Sequence, residues 1–139
     1  MPRTFEKLNL KDHREILVVN APLSFESELA TLAGVTVFRD PGKVNTIRFV
    51  LAFATAQANV DRLAKELSAK AEGDALLWFA YPKGASKKYT CDFNRDTGWS
   101  VLKSAGFDTV RAVAIDEDWS ALRFRRVEYI KVPARVGAK

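Results

Sequence analysis

Four short apolar runs constrain this chain more than anything else in it. EILVVN (15–20), IRFVLAFA (47–54) and ALLWFAY (75–81) are continuous rather than alternating, VTVFR (35–39) is a shorter strand, and each ends in polar or turn-forming residues. A strand that is apolar on both faces has to be covered on both faces. The stable solution is a largely parallel sheet with helices on either side. Runs of this length are also far short of the ~20 residues that a membrane-spanning helix needs.

The segments between the runs supply the helices. Ser24 reads as an N-cap, with Glu26 and Glu28 in the first turn and Phe25, Leu29 and Leu32 on one face, and Gly34 as the stop. Asp40-Pro41-Gly42 is a turn. Val60, Leu63, Ala64, Leu67 and Ala71 form an apolar stripe at helical spacing. Asp61–Lys65, Arg62–Glu66 and Glu66–Lys70 support its wet face, and Gly73 falls where a left-handed C′ residue is wanted. Asp96 reads as the cap of a further helix that carries Trp99, Leu102 and Ala105 inward and stops at Gly106. TVRAVAI (109–115), the turn DEDW and SALRFRRVEYI (120–130) read as an antiparallel hairpin.

That order predicts a three-layer, Rossmann-like α/β domain with a mostly parallel six-stranded sheet in the order 2-1-3-4-6-5. Only the last strand is antiparallel, because its connection is too short for a parallel crossover. A single domain is expected over residues 1–132, with a basic, disordered tail over 133–139. The full 139 residues are enough to bury a core without disulfides or metal. The opening MPRTFEKLNLKDHR has no apolar signal region, and Cys91 is the single cysteine. Both features point to a cytoplasmic, bacterial-type protein without membrane partners.

Ligands of such folds bind outside the carboxyl ends of the strands, near the point where strand order reverses. Those ends are Asn20-Ala21-Pro22, Asp40-Pro41-Gly42, Thr55-Ala56-Gln57 and the basic loop YPKGASKK (81–88). The candidate ligand-binding residues are therefore Lys83, Ser86 and Lys87, joined by Asp116 and Trp119 of the hairpin turn. Asp116 has a competing role as a turn former, and Trp119 as an aromatic closing the hairpin over the core. The expected occupant is a small anionic ligand or a protein partner.

No cofactor is expected. A dinucleotide or S-adenosylmethionine fold places glycines after the first strand so that backbone can approach the cofactor. Here that turn is NAPLSF, without glycine and with a proline that removes a donor. Asp40 stands where a ribose-binding acid would stand, but a turn role competes. DPGKVN lacks the first glycine and the Ser/Thr of a phosphate loop. His13 is the only histidine and Cys91 the only cysteine, too few for a metal site. Lys87, Lys88 and Arg95 lie near Cys91 and would favour its thiolate, yet a cysteine hydrolase needs a base and only His13 is on offer, so no catalytic residue is assigned and a non-enzyme is the favoured reading.

Net charge is +5, and its placement raises an alternative. From Leu122 onward Arg123, Arg125, Arg126, Lys131, Arg135 and Lys139 face one acid, Glu128. Arg123, Arg125, Arg126 and Lys131 could hold nucleic-acid phosphates. Aromatic side chains are not interleaved as a single-strand platform requires, so this binding would be weak.

AYPKGASKK, AIDEDWSALRFRRV and VVNAPLSFESEL together resemble a small bacterial family of uncharacterised proteins. Its members share a Trp/Tyr-Pro-Lys-x-x-Ser loop, an Asp-Glu-x-Trp-Ser-Gly/Ala-Leu segment and an opening strand that ends in a small-residue-Pro turn. The resemblance covers residues 8 to 130. It implies a domain similar to the core of Rossmann-like methyltransferases, terminal hairpin included, with the glycine-rich cofactor loop gone. It adds no catalytic residue.

Overall fold

The computed structural model describes residues 3–84, 86, 91 and 98–130. Its six strands are β1 (Glu15–Val19), β2 (Thr36–Phe38), β3 (Ile47–Phe53), β4 (Ala71–Pro82), β5 (Phe107–Ala114) and β6 (Trp119–Arg126). They form one sheet in the order β2-β1-β3-β4-β6-β5. β1 pairs in parallel with β2 and β3, and β3 with β4. β6 alone runs against its neighbours β4 and β5, as the short hairpin turn requires.

Both faces of the central strands are buried, which is why their sequences do not alternate. On one face α3 (Gln57–Lys70) and α4 (Ser100–Ser104) cover Leu17, Val50, Leu77, Phe79 and Phe124. On the other, α1 (Arg3–Lys7), the turn after it and α2 (Glu26–Ala30) cover Val18, Leu51, Trp78 and Ala121. The apolar stripe of α3 is buried as its spacing predicts: Val60, Leu63, Ala64 and Leu67 all face the sheet.

α1 is an element the sequence pattern does not announce. Phe5, Leu8 and Leu10 are fully buried, and each such side chain contributes about 1.5–3 kcal/mol before ordering costs. Trp78, also fully buried, donates its indole Nε1–H to the Leu8 carbonyl at 2.9 Å. Lys7 Nζ donates to the Ala114 carbonyl on edge strand β5 at 2.5 Å.

Several local boundaries differ from expectation. Ser24 is no N-cap: residues 23–25 form a 3₁₀ turn, and Phe25 occupies the cap position of α2 without a side-chain bond. α3 runs into β4 with no intervening loop, because Ala71 turns extended at φ −64°, ψ 128°. Gly73 is therefore inside β4. It is left-handed at φ +57°, within a bulge where Ile47 pairs with Ala71 but Phe49 with Leu76. A Cβ there would meet nothing within 4 Å, so backbone conformation, and not crowding, calls for glycine. Asp96 lies outside the described residues, and α4 starts at Ser100. β6 stops at Arg126, opposite Phe107 where its partner begins, and residues 127–129 form a 3₁₀ turn.

Candidate functional site

The carboxyl ends of β1, β3 and β4 emerge on one edge, beside the start of β6. Four segments meet there: the turn after β1, the β3–α3 junction, the exit of β4 and the β5–β6 hairpin. The hairpin and the β4 exit are tied into one lip. The Lys83 amide donates to the Asp118 carbonyl at 2.8 Å, and the Ser86 amide to the Lys83 carbonyl at 3.0 Å. Ser86 Oγ donates to Asp118 Oδ1 at 3.0 Å. Gln57 Nε2 braces the edge from α3, donating to the Gly98 carbonyl at 2.7 Å and to Asp61 Oδ1 at 2.9 Å.

The hairpin holds itself. Asp116 Oδ1 accepts the amides of Asp118 and Trp119, both at 2.8 Å, an Asx-type turn. Trp119 is 3% exposed, and its ring stands edge-on to Phe53 at 5.1 Å. Phe53 in turn packs on Phe25, and Phe25 on Phe5. Asp116 thus takes the turn-forming geometry and Trp119 the core-closing geometry, and both shape the lip from within. Lys83 is half-buried, and among the described residues its ammonium makes no ion pair. Lys87 lies outside the described residues.

Asp118, which anchors both Lys83 and Ser86, is the residue that sequence reasoning passed over. It was legible only as one acid among three in a turn. The backbone role of Asn20, named in the sequence only as a strand end, was also missed. That residue closes β1 at φ +58°, the left-handed conformation a glycine turn would supply there, and Asn is among the side chains that tolerate it. Pro22 is extended at φ −68°, ψ 156°, and Leu23 beside it is 88% exposed.

At the neighbouring strand end, Arg39 forks onto Glu26, Nη1 to Oε2 at 2.7 Å and Nη2 to Oε1 at 2.9 Å. That bond holds the Glu26 carboxyl below its usual range and raises the Arg39 guanidinium. Asp40, at the position of a ribose-binding acid, accepts the Gly42 amide at 2.9 Å and so caps its own turn.

The basic strand is largely engaged with the protein. Arg125 forks onto Asp74 at 2.8 and 2.6 Å, which lowers the Asp74 carboxyl and raises Arg125. Arg126 donates to the carbonyls of Gly73 at 3.2 Å and Ala71 at 2.5 Å, with its guanidinium over the Phe107 ring. Arg123 is half-buried; Lys131 lies outside the described residues.

His13 sits at the opposite, amino-terminal edge, 6.0 Å from the Phe49 ring. It lines a cleft of about 820 Å³ with Arg14, Glu15, Lys43 and Arg48. Acids and bases are mixed there, and Arg48 is already paired with Glu72 at 2.8 Å, so size alone does not make it the functional edge. Cys91 packs against the α3-side core. Among the described residues no group of three His, Cys, Asp or Glu could hold a metal ion, and no helix is long and apolar enough to cross a membrane.

Comparison with solved structures places this geometry among methyltransferase folds. A SAM-dependent methyltransferase from Aquifex aeolicus superposes with TM-score 0.62 at 14% identity, covering 89% of this chain and 88% of that one. A putative type 11 methyltransferase from Sulfolobus solfataricus gives 0.58 at 9% identity, covering 91% and 92%. The N-methyltransferase NodS from Bradyrhizobium japonicum gives 0.56 at 11%, covering 89% and 94%. No family model and no curated protein matches the chain. At these identities the likeness is one of fold.

Proposed function

We propose that this domain is a non-catalytic, methyltransferase-like module that binds a small monoanionic ligand at the carboxyl edge of its sheet. The observation that carries the reading is Lys83: a half-buried cation at the exit of a buried strand, with its backbone clamped to Asp118 and its charge unpaired among the described residues. Such preorganisation lowers the cost of binding. Asp116 and Asp118 are turned to the protein, but with Glu117 they keep the lip from welcoming a polyanion. That balance favours one carboxylate or comparable group over a nucleotide triphosphate or nucleic acid. Asp116, Trp119 and Ser86 are positioning residues in this reading, and Lys87 adds a second cation.

The glycine-free turn, with Pro22 removing a donor, and the use of Asp40 as the cap of its own turn argue against methyl transfer from S-adenosylmethionine. Nucleic-acid binding through β6 ranks second, since Arg125 and Arg126 are already committed to Asp74 and to backbone carbonyls. A cytoplasmic setting and membership of the small bacterial family resembled by the three motifs complete the proposal.

The test is a thermal-shift screen of monocarboxylates, nucleotides and oligonucleotides, since a specific ligand raises apparent stability by mass action. A monoanion should stabilise the parent and fail to stabilise Lys83→Ala, whose own stability stays within ~0.5 kcal/mol of the parent. A ligand that stabilises Lys83→Ala equally well would place the site elsewhere.

A further inference from the structure

The β5–β6 hairpin carries a second cationic cluster that the carboxyl edge does not use. Arg111 and Arg123 are direct cross-strand partners, so both side chains leave the same face of the sheet. Like charges placed directly opposite each other across a ladder repel. Arg125 stands two residues along on that face, but it occupies both oxygens of Asp74, so the nearby acid is spent. Among the described residues neither Arg111 nor Arg123 makes an ion pair. Arg123 Nε is buried and has no acceptor among the described residues, which is the costly state for a polar group. Burial first, then the Arg125 and Arg111 charges, holds the Arg123 guanidinium below the usual arginine range against the pull of Asp74.

We propose that Arg111 and Arg123 form a binding site for a single phosphate group of a small, free ligand. An oxyanion between the two guanidiniums removes their repulsion. Guanidinium forks match phosphate oxygens in geometry as well as charge. Among the described residues of β6, the commitments of Arg125 and Arg126 leave Arg123, with Arg111 opposite, as the unmatched charge, which suits one phosphate and not a track along a polynucleotide.

Inorganic phosphate titrated into the full chain against sodium chloride of equal ionic strength tests this. Melting temperature and the Arg Nε–Hε NMR signals give the readout. Phosphate should raise the melting temperature beyond chloride and shift the Arg123 Nε–Hε signal at saturation. Arg111→Gln, an exposed change, should weaken phosphate binding about tenfold or more. In chloride alone it should melt at or above the parent temperature, because the repulsion is gone. Lys83→Ala should bind phosphate like the parent, which separates this site from the carboxyl edge. The proposal is overturned if phosphate acts no differently from chloride, if Arg111→Gln binds it unchanged, or if Lys83→Ala abolishes it. A single-stranded oligonucleotide binding about 100-fold tighter than phosphate, with a salt slope of several charges, would replace it with a nucleic-acid surface.

Discussion

Asp116→Ala separates a positioning role from a ligand contact. One carboxylate oxygen, Asp116 Oδ1, accepts two backbone amides at 2.8 Å, and the amide of buried Trp119 is one of them. Hydrogen bonds to charged groups contribute about 1.5–3 kcal/mol each when enclosed. Asp116 is exposed, however, so water replaces much of what is lost, and removal of a helix cap, about 0.5–2 kcal/mol, is the better analogue. The expected cost is about 1–1.5 kcal/mol. With ~2.1 cal/mol/K per residue of unfolding entropy over 139 residues, this lowers Tm by ~3–5 °C in calorimetry. Asp116→Asn keeps a carbonyl acceptor and should lose less than half as much. Ligand affinity should fall in the same order, because the turn holds the Asp118 carbonyl that clamps Lys83. The reasoning fails if Asp116→Ala melts like the parent yet binds nothing, since the carboxylate would then be touching ligand. It fails equally if Asn and Ala are alike in stability.

Trp78→Phe should cost about 2–3 kcal/mol, because it leaves the Leu8 carbonyl unmet and opens space in a dry core; a urea midpoint corresponding to less than ~1 kcal/mol would contradict it. Asp74 has its carboxyl held below the ordinary value by Arg125, so its contribution is fully present above about pH 4 and is lost as pH falls through the lower folded value. Asp74→Asn should accordingly be less stable than the parent at pH 7, with the gap closing as pH falls below the ordinary carboxylate range; a gap independent of pH would refute the linkage. S-adenosylmethionine and NAD should bind no more tightly than about millimolar, and a micromolar constant from calorimetry for either would restore the enzyme reading.

Strand order was legible because each central strand is apolar on both faces and each connection is either helical or a tight turn. Where two patterns overlap on the same residues, the sequence misleads. Ala71 satisfies the α3 stripe and also opens β4, so Gly73 reads as a helix stop when it belongs to a bulge. α1 was hidden because Phe5 and Leu8 lie among Glu6, Lys7 and Asn9, and nothing nearby announces a cap. Lys83 was readable from its place after a buried strand. Its clamp was not, since Ser86 and Asp118 are 32 residues apart and meet only when β4 and β6 pair. Glu26 and Arg39, on separate elements, become partners for the same reason.

α1 is fastened to parts of the chain that are made long after it. Its following turn waits for Trp78, 70 residues on, and Lys7 for Ala114, 107 residues on. The consequence is one of timing. During synthesis α1 can meet Phe25 and the β1 and β3 side chains early, yet its hydrogen bonds to Trp78 and Ala114 cannot close until β4 and then β5 have appeared. Until that moment the part of this core that Trp78, Ala80, Trp119 and Ala121 complete is missing, the condition in which nascent chains associate wrongly. Contacts this distant along the chain also slow the search for the native state. α1 is thus locked in place by strands made well after it.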